Sequence, residues 1–449
     1  MLLACASLTL AACSSLPIIS LHLSAHAPLA VPVTGARGPL SAAQSKAVIT
    51  ELAARGPNTQ IFEHHLAREE GYTSGPLTTG NAVRLLQDGP ATYSAMLAAI
   101  AAARDHVHIE TYILDDDSVG QRFVQALLAK RAQGVQVSLI HDSVGTISTP
   151  AALFDQLTVA GAQVLEFNPL NPLMSRKEWE VNRRDHRKLL IVDGRIAFLG
   201  GINISSVYSG GSGHRHTDAT PAWRDTHLQL QGPVVAELQK LFLAAWASQH
   251  GPPLAPRQAF PPPTRPGNLV VRAIGSSPDE PYSQIYATLL SAIASAETSV
   301  QITNAYFAPD PQLLAALEAA AARGVAVTLI LPGRTDAWIV FHAGRSHCGR
   351  LLRSGVRIFE RQGVILHAKT VLIDGVWATV GSTNLDWRSF LHNHELNAVV
   401  LGFEFGQQMQ AMFDRDLAAS VVVTLTVWQQ RGITLRLKER MARLWEYWL

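Results

Sequence analysis

The sequence predicts an α/β protein of two duplicated lobes, each a mixed, largely parallel sheet flanked by helices. Strand-like and helix-like segments alternate from residue 81 onward, which is typical of parallel sheets covered by helices. After a proline-rich stretch the same series of segments repeats, and each series contains a motif of the form H-x-K-x-x-x-x-D. The repeat is far longer than that of a stacked array, so we expect two lobes related by a pseudo-twofold axis and sharing one cleft.

Composition excludes several classes of protein. The chain has 449 residues, which suits two or three domains, and its 47% apolar and 16% charged residues describe a globular protein rather than a disordered one. A formal net charge of +2 gives no global field for nucleic acid, so we expect no nucleic-acid partner. Three cysteines cannot form a disulfide framework.

The first 30 residues predict a targeting segment. The apolar stretch "MLLACASLTLAACSSLPIIS" contains "LAAC", which has the form of a bacterial lipoprotein processing site. Cleavage there makes Cys13 the new N-terminal residue and a candidate lipid anchor. A plain secretory signal and an unprocessed apolar tail remain alternatives, because the usual cationic start is missing. Elsewhere, no uncharged and predominantly apolar stretch reaches the 18 residues that a membrane-spanning helix needs.

Residues 31–79 predict a polar N-terminal extension with one helix around 41–56. Lobe 1 then covers 80–250, and its repeating pattern predicts each element in turn. The predicted strands are "NAVRLLQDG", "HVHIETYIL", "VQVSLIHDSVG" and "GAQVLEF", and the predicted helices are "ATYSAMLAAIAAARD" and "GQRFVQALLAKRAQG", the second ending at Gly134.

Residues 251–268 are too rich in proline for a helix or strand and predict a linker between the lobes. Lobe 2, at 269–430, is predicted to repeat the order of strands and helices of lobe 1. Its helices are "SQIYATLLSAIASAE" and "LLAALEAAAARG", and its strands are "SVQITNAYFAP", "VAVTLILPG" and "GVRIFE". The last segment, 431–449, predicts an amphipathic helix.

The paired motifs carry the candidate chemistry. Residues i and i+2 of a strand share a face, so His186 projects with Lys188 and His367 with Lys369. Two histidines suit a double displacement in which one attacks and the other transfers protons. Two lysines suit a negatively charged substrate, for which phosphate is the natural candidate.

The aspartates that close the motifs, Asp193 and Asp374, follow an apolar run that carries the chain through the core. We include them with the motif but expect them to bond to backbone or across the lobe interface rather than to transfer protons. Small residues after each motif let backbone and amide groups approach an anion, so Asn203, Asn384 and Ser382 are candidate phosphate ligands.

The paired motifs resemble those of the phospholipase D superfamily, and residues 80–449 resemble bacterial cardiolipin synthases. The segments that carry the resemblance are "NAVRLLQDGPATY", "HIETYIL", "DHRKLLIVDGRIAFLGGINI", "WRDTHLQLQGP", "TNAYFAP", "LHAKTVLIDG" and "GSTNLDWRSFLHNHELN". The resemblance implies a phosphohistidine intermediate, with no metal and no cofactor required. It also implies an acidic partner for each histidine, by motif match Asp225 for His186 and Glu395 for His367.

The resemblance further implies an enzyme that joins two phosphatidylglycerol molecules into cardiolipin and releases glycerol. We assign His186 as nucleophile and His367 as general acid and base, with the reverse assignment kept open by the near symmetry. Hydrolytic phospholipase D activity is the alternative. A nuclease and an inert, lipid-anchored binding protein are less favoured, because net charge is near neutral and both motifs are intact. The sequence does not determine the oligomeric state.

Two further segments suggest contact with a membrane surface. The basic stretch at 175–188 predicts either a rim that attracts anionic headgroups or a solvated loop. The segment "LRLKERMARLWEYWL" predicts a helix on anionic lipid, or one that packs its apolar face against lobe 2. Many cardiolipin synthases begin with transmembrane helices, whereas this chain has a lipoprotein-like start. We therefore expect an exported, membrane-associated lipoprotein, with a peripheral enzyme on the cytoplasmic face of the inner membrane as the alternative.

Overall fold

The structure is a computed structural model that describes residues 19, 31–56, 59–69, 71, 73–171, 180, 182–211, 222–254 and 257–449. The N-terminal extension forms β1 (Val33–Gly35), β2 (Gly38–Pro39), α1 (Ala42–Ala54) and α2 (Ile61–Glu69). The predicted helix is therefore confirmed as α1, which Ser41 and Gln44 begin with a reciprocal capping box. Phe62 and Leu66 of α2 are buried in the hydrophobic core of lobe 2, so the extension packs on the lobe that lies farther along the chain.

Lobe 1 consists of a mixed sheet with helices packed against it. Its strands are β3 (Leu77–Gln87), β4 (His106–Thr111), β5 (Gln136–Asp142), β6 (Gln163–Phe167), β7 (Arg184–Asp185), β8 (Lys188–Val192), β9 (Ile196–Gly200), β10 (Ala222–Arg224) and β11 (Thr226–Gln231). Its helices are α3 (Asp88–Ala102), α4 (Ser118–Ala132), α5 (Ala151–Val159) and α6 (Val234–Ser248). Strands β4, β5 and β6 are parallel, while β8 runs antiparallel to β4.

Lobe 2 repeats this arrangement. Its strands are β12 (Leu269–Ser276), β13 (Ser299–Asn304), β14 (Phe307–Ala308), β15 (Ala326–Pro332), β16 (Arg357–Arg361), β17 (Val364–Leu366), β18 (Lys369–Ile373), β19 (Trp377–Gly381), β20 (Leu385–Asp386), β21 (Asn393–Leu401) and β22 (Ser420–Val423). Its helices are α7 (Gln284–Ser295), α8 (Pro311–Ala322), α9 (Trp338–Arg353), α10 (Trp387–Leu391), α11 (Phe403–Ala418), α12 (Leu425–Gln429) and α13 (Ile433–Arg443). Strands β13, β15 and β16 are parallel and β18 is antiparallel to β13, which matches lobe 1 strand for strand.

The repeat extends to the ends of helices. Gly134 and Gly324 follow α4 and α8 with φ of +84° and +90°, a conformation that glycine adopts without the strain a side chain adds. Each glycine stops its helix and returns the chain to a parallel strand, β5 or β15. The predicted fold class, two duplicated lobes with mixed sheets flanked by helices, is confirmed.

The two sheets form one continuous structure. Strand β3 pairs with β11 of lobe 1 along one edge and with β12 of lobe 2 along the other. The lobes are also joined by a buried ion pair in which Arg224 of β10 donates to both carboxylate oxygens of Asp416 in α11, at 3.0 and 2.8 Å. The predicted linker contains no helix or strand at 257–268, the part of it that is described without interruption. Within the described ranges, no helix is long and apolar enough to cross a membrane.

Candidate active site

Both motif histidines stand at the junction of the lobes. His186 follows β7 and His367 follows β17, and one residue separates each histidine from the buried strand that comes next, β8 or β18. The backbone N–H of His186 donates to the carbonyl of His394 at 3.0 Å, and that of His367 donates to the carbonyl of Arg224 at 2.8 Å. Each histidine is thus bonded to the opposite lobe, and both line one cavity of about 320 Å³. The predicted shared cleft is present.

The acidic partners cross between the lobes. Nδ1 of His186 lies 3.0 Å from Oε1 of Glu395, and Nδ1 of His367 lies 2.7 Å from Oδ2 of Asp225. The expected pairing, Asp225 with His186 and Glu395 with His367, is therefore wrong. The backbone bonds explain the exchange, because each carboxylate directly follows the residue whose carbonyl accepts from the histidine of the other lobe.

Burial and the neighbouring charges make His186 a neutral base. Removal from water, with help from the Lys188 charge, lowers the pKa of His186 to about 4 despite the opposing effect of Glu395. Burial alone raises the pKa of Glu395, but its interactions with His186 and Lys188 outweigh this effect and lower it to about 2. A neutral imidazole that donates from Nδ1 to a carboxylate keeps the lone pair of Nε2 free for attack.

His367 has a denser set of polar neighbours. Besides Asp225, its Nδ1 lies 3.2 Å from the hydroxyl of Tyr208 and 3.0 Å from Nζ of Lys369. Burial and then the Lys369 charge lower the pKa of His367, whereas Asp225 raises it. A bound phosphodiester adds negative charge beside the ring and favours the protonated form, which suits a group that transfers protons.

The motif lysines lie beneath the histidines. Nζ of Lys188 donates to the carbonyl of His186, and Nζ of Lys369 donates to the carbonyl of His367. Burial lowers the pKa of Lys188 to about 7 and that of Lys369 to about 8. Neither lysine lines the cavity directly, so their contact with phosphoryl oxygens stays a prediction.

The motif aspartates directly follow β8 and β18, at the ends of these strands that lie away from the histidines. Asp193 accepts from the backbone N–H groups of residues 104–106 at 2.8 to 3.2 Å. Asp374 accepts from those of residues 297–299 at 2.8 to 2.9 Å and from the hydroxyl of Thr59 at 3.1 Å. Both carboxylates hold the loop before the central strand of a lobe, which agrees with the structural role expected of them rather than with a place in the catalytic set.

The three candidate phosphate ligands have different positions. Asn203 and Asn384 both line the cavity. Oδ1 of Asn203 accepts from the backbone of Ile113 at 3.3 Å, while Oδ1 of Asn384 has no partner within the described part of the chain. Ser382 is fully buried outside the cavity lining, and its hydroxyl donates to Oε2 of Glu395. The geometry therefore contradicts a direct phosphate contact by Ser382 and gives it the role of orienting Glu395.

The cavity also contains residues that the sequence did not single out, among them Tyr208, Trp223 and Arg388. The side of His367 is aromatic, with ring centroids of Trp223, Tyr208 and Tyr306 at 5.2, 5.8 and 5.8 Å from the imidazole. The side of His186 is basic, because Arg184 and Arg388 line it. Arg184 belongs to the basic stretch at 175–188, for which a rim that attracts anionic headgroups was one of the two predictions. It stands two residues before His186 and so shares the face of that histidine in an extended chain.

The C-terminal segment borders this cavity through Trp448 and Leu449. Helix α13 packs on α9, but by the face that buries Glu439 and Ala442. Apolar residues elsewhere on this segment remain exposed: Ile433 is 84% and Leu444 73% accessible. The two expectations for this helix, lipid contact and packing on lobe 2, thus concern different faces.

Two other predictions can be placed only in part. Cys13 lies outside the described residues, as do residues 175–179 and 181 of the basic stretch. Throughout the described ranges, no group of three or more His, Cys, Asp and Glu side chains could hold a metal ion.

The sequence and the fold are both similar to those of known proteins. Residues 96–243 and 289–417 match the family described as "Cardiolipin synthase, PLD-like domain". The chain is 38% identical over 371 residues to cardiolipin synthase A of Pseudomonas putida, covering 82% of this chain and 75% of that one. It is 34% identical over 372 residues to a cardiolipin synthase of Geobacillus kaustophilus, covering 82% and 72%. The crystal structure of a phosphatidylserine synthase from Haemophilus influenzae shares the fold, with a TM-score of 0.61 at 14% identity over 85% of this chain and 99% of that one.

Proposed function

Because the chain belongs to the cardiolipin synthases of the phospholipase D superfamily, we propose that it transfers a phosphatidyl group between two phosphatidylglycerol molecules and releases glycerol. The observation that carries the proposal is the convergence of His186 and His367 on one cavity, each with its own buried carboxylate. Two imidazoles on opposite sides of one phosphodiester meet the needs of a double displacement.

In the first step, Nε2 of His186 attacks phosphorus of the first phosphatidylglycerol. The bond from phosphorus to the glycerol oxygen breaks, and His367 gives that oxygen a proton, so free glycerol leaves. A phosphatidyl group remains on His186, while Glu395 balances the positive charge of the substituted ring. The neutral state of His186 near pH 7 supports its role as nucleophile.

In the second step, a glycerol hydroxyl of another phosphatidylglycerol attacks the same phosphorus. His367, now neutral, takes the hydroxyl proton, and the bond between phosphorus and nitrogen breaks. Cardiolipin leaves and both histidines return to their starting states. The phosphodiester energy is kept in the intermediate, so no nucleotide is consumed, and no step of this scheme passes through a metal.

Roles for the remaining residues follow from their positions. We assign Asp225 and Glu395 to orient the histidines, with Ser382 supporting Glu395. Asn203 and Asn384 supply polar groups to the reacting phosphate, and Lys188 and Lys369 supply positive charge from beneath it. Loss of one such group is expected to slow turnover by about two to three orders of magnitude.

We also propose that the enzyme works on a membrane surface, since both substrates are bilayer lipids. On α13 and at the residue that follows it, Ile433, Leu437, Met441 and Leu444 recur at intervals of four, four and three residues and form one exposed stripe, which we call the apolar stripe. Exposed basic residues accompany it on the same helix: Arg436, Lys438, Arg440 and Arg443. This combination suits a helix lying on anionic lipid, and it stands beside the cavity. An acylated Cys13 would add a second, independent attachment.

The decisive experiment incubates purified protein with phosphatidylglycerol labelled in its headgroup glycerol and in its acyl chains. We expect cardiolipin and free glycerol in equal amounts. Phosphatidic acid and glycerol without cardiolipin would instead identify the hydrolytic alternative.

A further inference from the structure

The proposed acceptor differs from water or a simple alcohol in one chemical respect, because it carries a phosphodiester of its own. While its hydroxyl attacks the intermediate, this second negative charge must also enter or border the cavity. The two histidines are occupied with the reacting phosphate. An enzyme that prefers phosphatidylglycerol over water therefore gains from a separate anion-binding group.

Arg184 has the properties of such a group. It lines the cavity together with His186, yet only 1% of its surface is accessible. Nη1 donates to the hydroxyl of Ser143 at 2.7 Å and to the carbonyl of Asn168 at 3.3 Å. Nε and Nη2, the two donors along one edge of the guanidinium, have no partner in the described part of the chain. A buried guanidinium with one edge unpaired is unusual, because unsatisfied charged donors are costly.

The nearby carboxylate does not satisfy that edge. Oδ1 of Asp142 lies 3.7 Å from Nη1 of Arg184, on the side that is already bonded. The carboxylate of Asp142 also accepts from the backbone N–H groups of Val144, Gly145 and Asp185 at 2.8 to 3.0 Å. The accepting capacity of Asp142 is therefore largely used by backbone N–H groups. Nε and Nη2 of Arg184 are left to donate side by side to a planar or tetrahedral anion.

A second arginine strengthens the positive potential of this wall. Arg388, in α10 of lobe 2, lines the same cavity and is held by Asn182, whose Oδ1 accepts from Nη1 at 2.6 Å. Burial lowers the pKa of Arg184, and the charge of Arg388 lowers it further, although Asp142 opposes both. Around His367, the described residues of the cavity are aromatic and acidic: Tyr306 donates to the carboxylate of Asp336 at 2.7 Å beside the aromatic rings.

The distance between Arg184 and His186 also suits the binding of a second phosphate beside the reacting one. Residues i and i+2 of an extended chain lie roughly 7 Å apart on one face, and Arg184 stands two residues before His186. The two phosphorus atoms of cardiolipin are bridged by a single glycerol, which is a separation of similar size. From these observations we infer that Arg184, assisted by Arg388, binds the phosphodiester of the accepting phosphatidylglycerol while His186 carries the transferred group.

This inference rests on the proposed function, and the test separates the two. Full-length protein is incubated with phosphatidylglycerol and ethanol. The same phosphatidyl-enzyme then transfers its phosphatidyl group either to phosphatidylglycerol, which carries a phosphate, or to ethanol, which is neutral. The measured quantity is the ratio of cardiolipin to phosphatidylethanol. Because both products arise from one intermediate, the ratio depends neither on the fraction of folded enzyme nor on the rate at which the intermediate forms.

We expect Arg184→Gln to lower this ratio by about ten- to a hundredfold, since a charge-assisted, two-donor contact to the acceptor is lost. Arg388→Gln should lower it less, and Arg361→Gln, which removes a partly buried arginine near Asp416 outside the cavity lining, should leave it unchanged. An unchanged ratio in Arg184→Gln, with both products falling together, would overturn the inference and assign Arg184 to the reacting phosphate. Wild-type protein that forms phosphatidylethanol but no cardiolipin would overturn the proposed acceptor and this inference with it.

Discussion

His186 and Glu395 lie 209 residues apart in the chain, yet Nδ1 of the histidine is 3.0 Å from Oε1 of the carboxylate. The reciprocal bond, from His367 to Asp225, spans 142 residues. Each half of the candidate site is therefore completed by the other lobe.

The first prediction concerns the covalent intermediate. His186→Ala should abolish turnover and leave no trapped phosphatidyl-enzyme, because the attacking nitrogen is gone. His367→Ala should still form the adduct, slowly, and resolve it more slowly still, since proton transfer typically contributes on the order of 10² to 10⁴ in rate. Quenching with labelled phosphatidylglycerol, followed by mass spectrometry of the peptides, locates the adduct. An adduct on His367 in the His186→Ala variant would reverse the two roles.

The second prediction tests the crossed carboxylates. Glu395→Gln should resemble His186→Ala and trap little adduct, whereas Asp225→Asn should resemble His367→Ala and accumulate it. Each amide leaves the side-chain shape nearly intact while removing the charge that orients one imidazole. The same quench assay reports both variants. If the two phenotypes were exchanged, the functional pairing would lie within each lobe instead of between lobes.

The third prediction is a pH profile. His186, with a pKa of about 4, must be unprotonated to attack, so kcat/KM should fall as the pH drops through that value. Lys188 and Lys369, at about 7 and 8, must be protonated to attract phosphate, so kcat/KM should also fall as the pH rises through 7 to 8. Initial rates on a soluble, short-chain phosphatidylglycerol give the curve. A rate that keeps climbing to pH 10 would be incompatible with cationic lysines in catalysis.

The fourth prediction concerns the apolar stripe. In full-length protein carrying Cys13→Ala, the additional changes Leu437→Gln and Met441→Gln should reduce binding to phosphatidylglycerol vesicles by at least about tenfold, because each removes an apolar side chain from the interface. Activity on the soluble, short-chain substrate should persist.

A matched control replaces Ile147 and Val159, exposed apolar residues of lobe 1, by glutamine. Vesicle co-sedimentation measures all three proteins. Equal loss of binding in the control, or no loss in the α13 variant, would refute the role of the stripe.

The fifth prediction concerns Cys13. If this residue is acylated, Cys13→Ala should lose both incorporation of labelled fatty acid and part of its association with the membrane fraction. Two or more acyl chains give stable attachment, whereas the apolar stripe alone gives a weaker, reversible one. Recovery of residues 1–12 in the mature wild-type chain would favour the cytoplasmic alternative.

Much of the fold could be predicted because its signals are local. The alternation that identifies β4 and β5, and the glycines after α4 and α8, depend only on residues that are neighbours in the sequence. The duplication also made one tertiary feature predictable. Two copies of one motif around a twofold axis bring His186 and His367 to one cleft.

The remainder depends on contacts that no local pattern encodes. Whether Asp225 faces His186 or His367 is decided by the pairing of β10 with β17 and of β7 with β21, which forms only when the lobes dock. Ser382 was assigned to phosphate because it follows the motif, yet the pairing of β19 with β21 within lobe 2 directs its hydroxyl to Glu395. The packing of α2 on lobe 2 could not be predicted either, because α2 lies in a polar segment that precedes lobe 1 in the sequence.

Because each histidine is paired with a carboxylate of the other lobe, activity depends on the order in which the two lobes are synthesised. A ribosome delivers His186 and Lys188 early, but Glu395 emerges only when most of lobe 2 has been made. Until then the imidazole lacks the partner that fixes its tautomer, and a nascent or truncated chain has no oriented nucleophile. A lipid-modifying enzyme built in this way stays inert while it is still being translated, and it becomes competent only after its two halves have closed on each other.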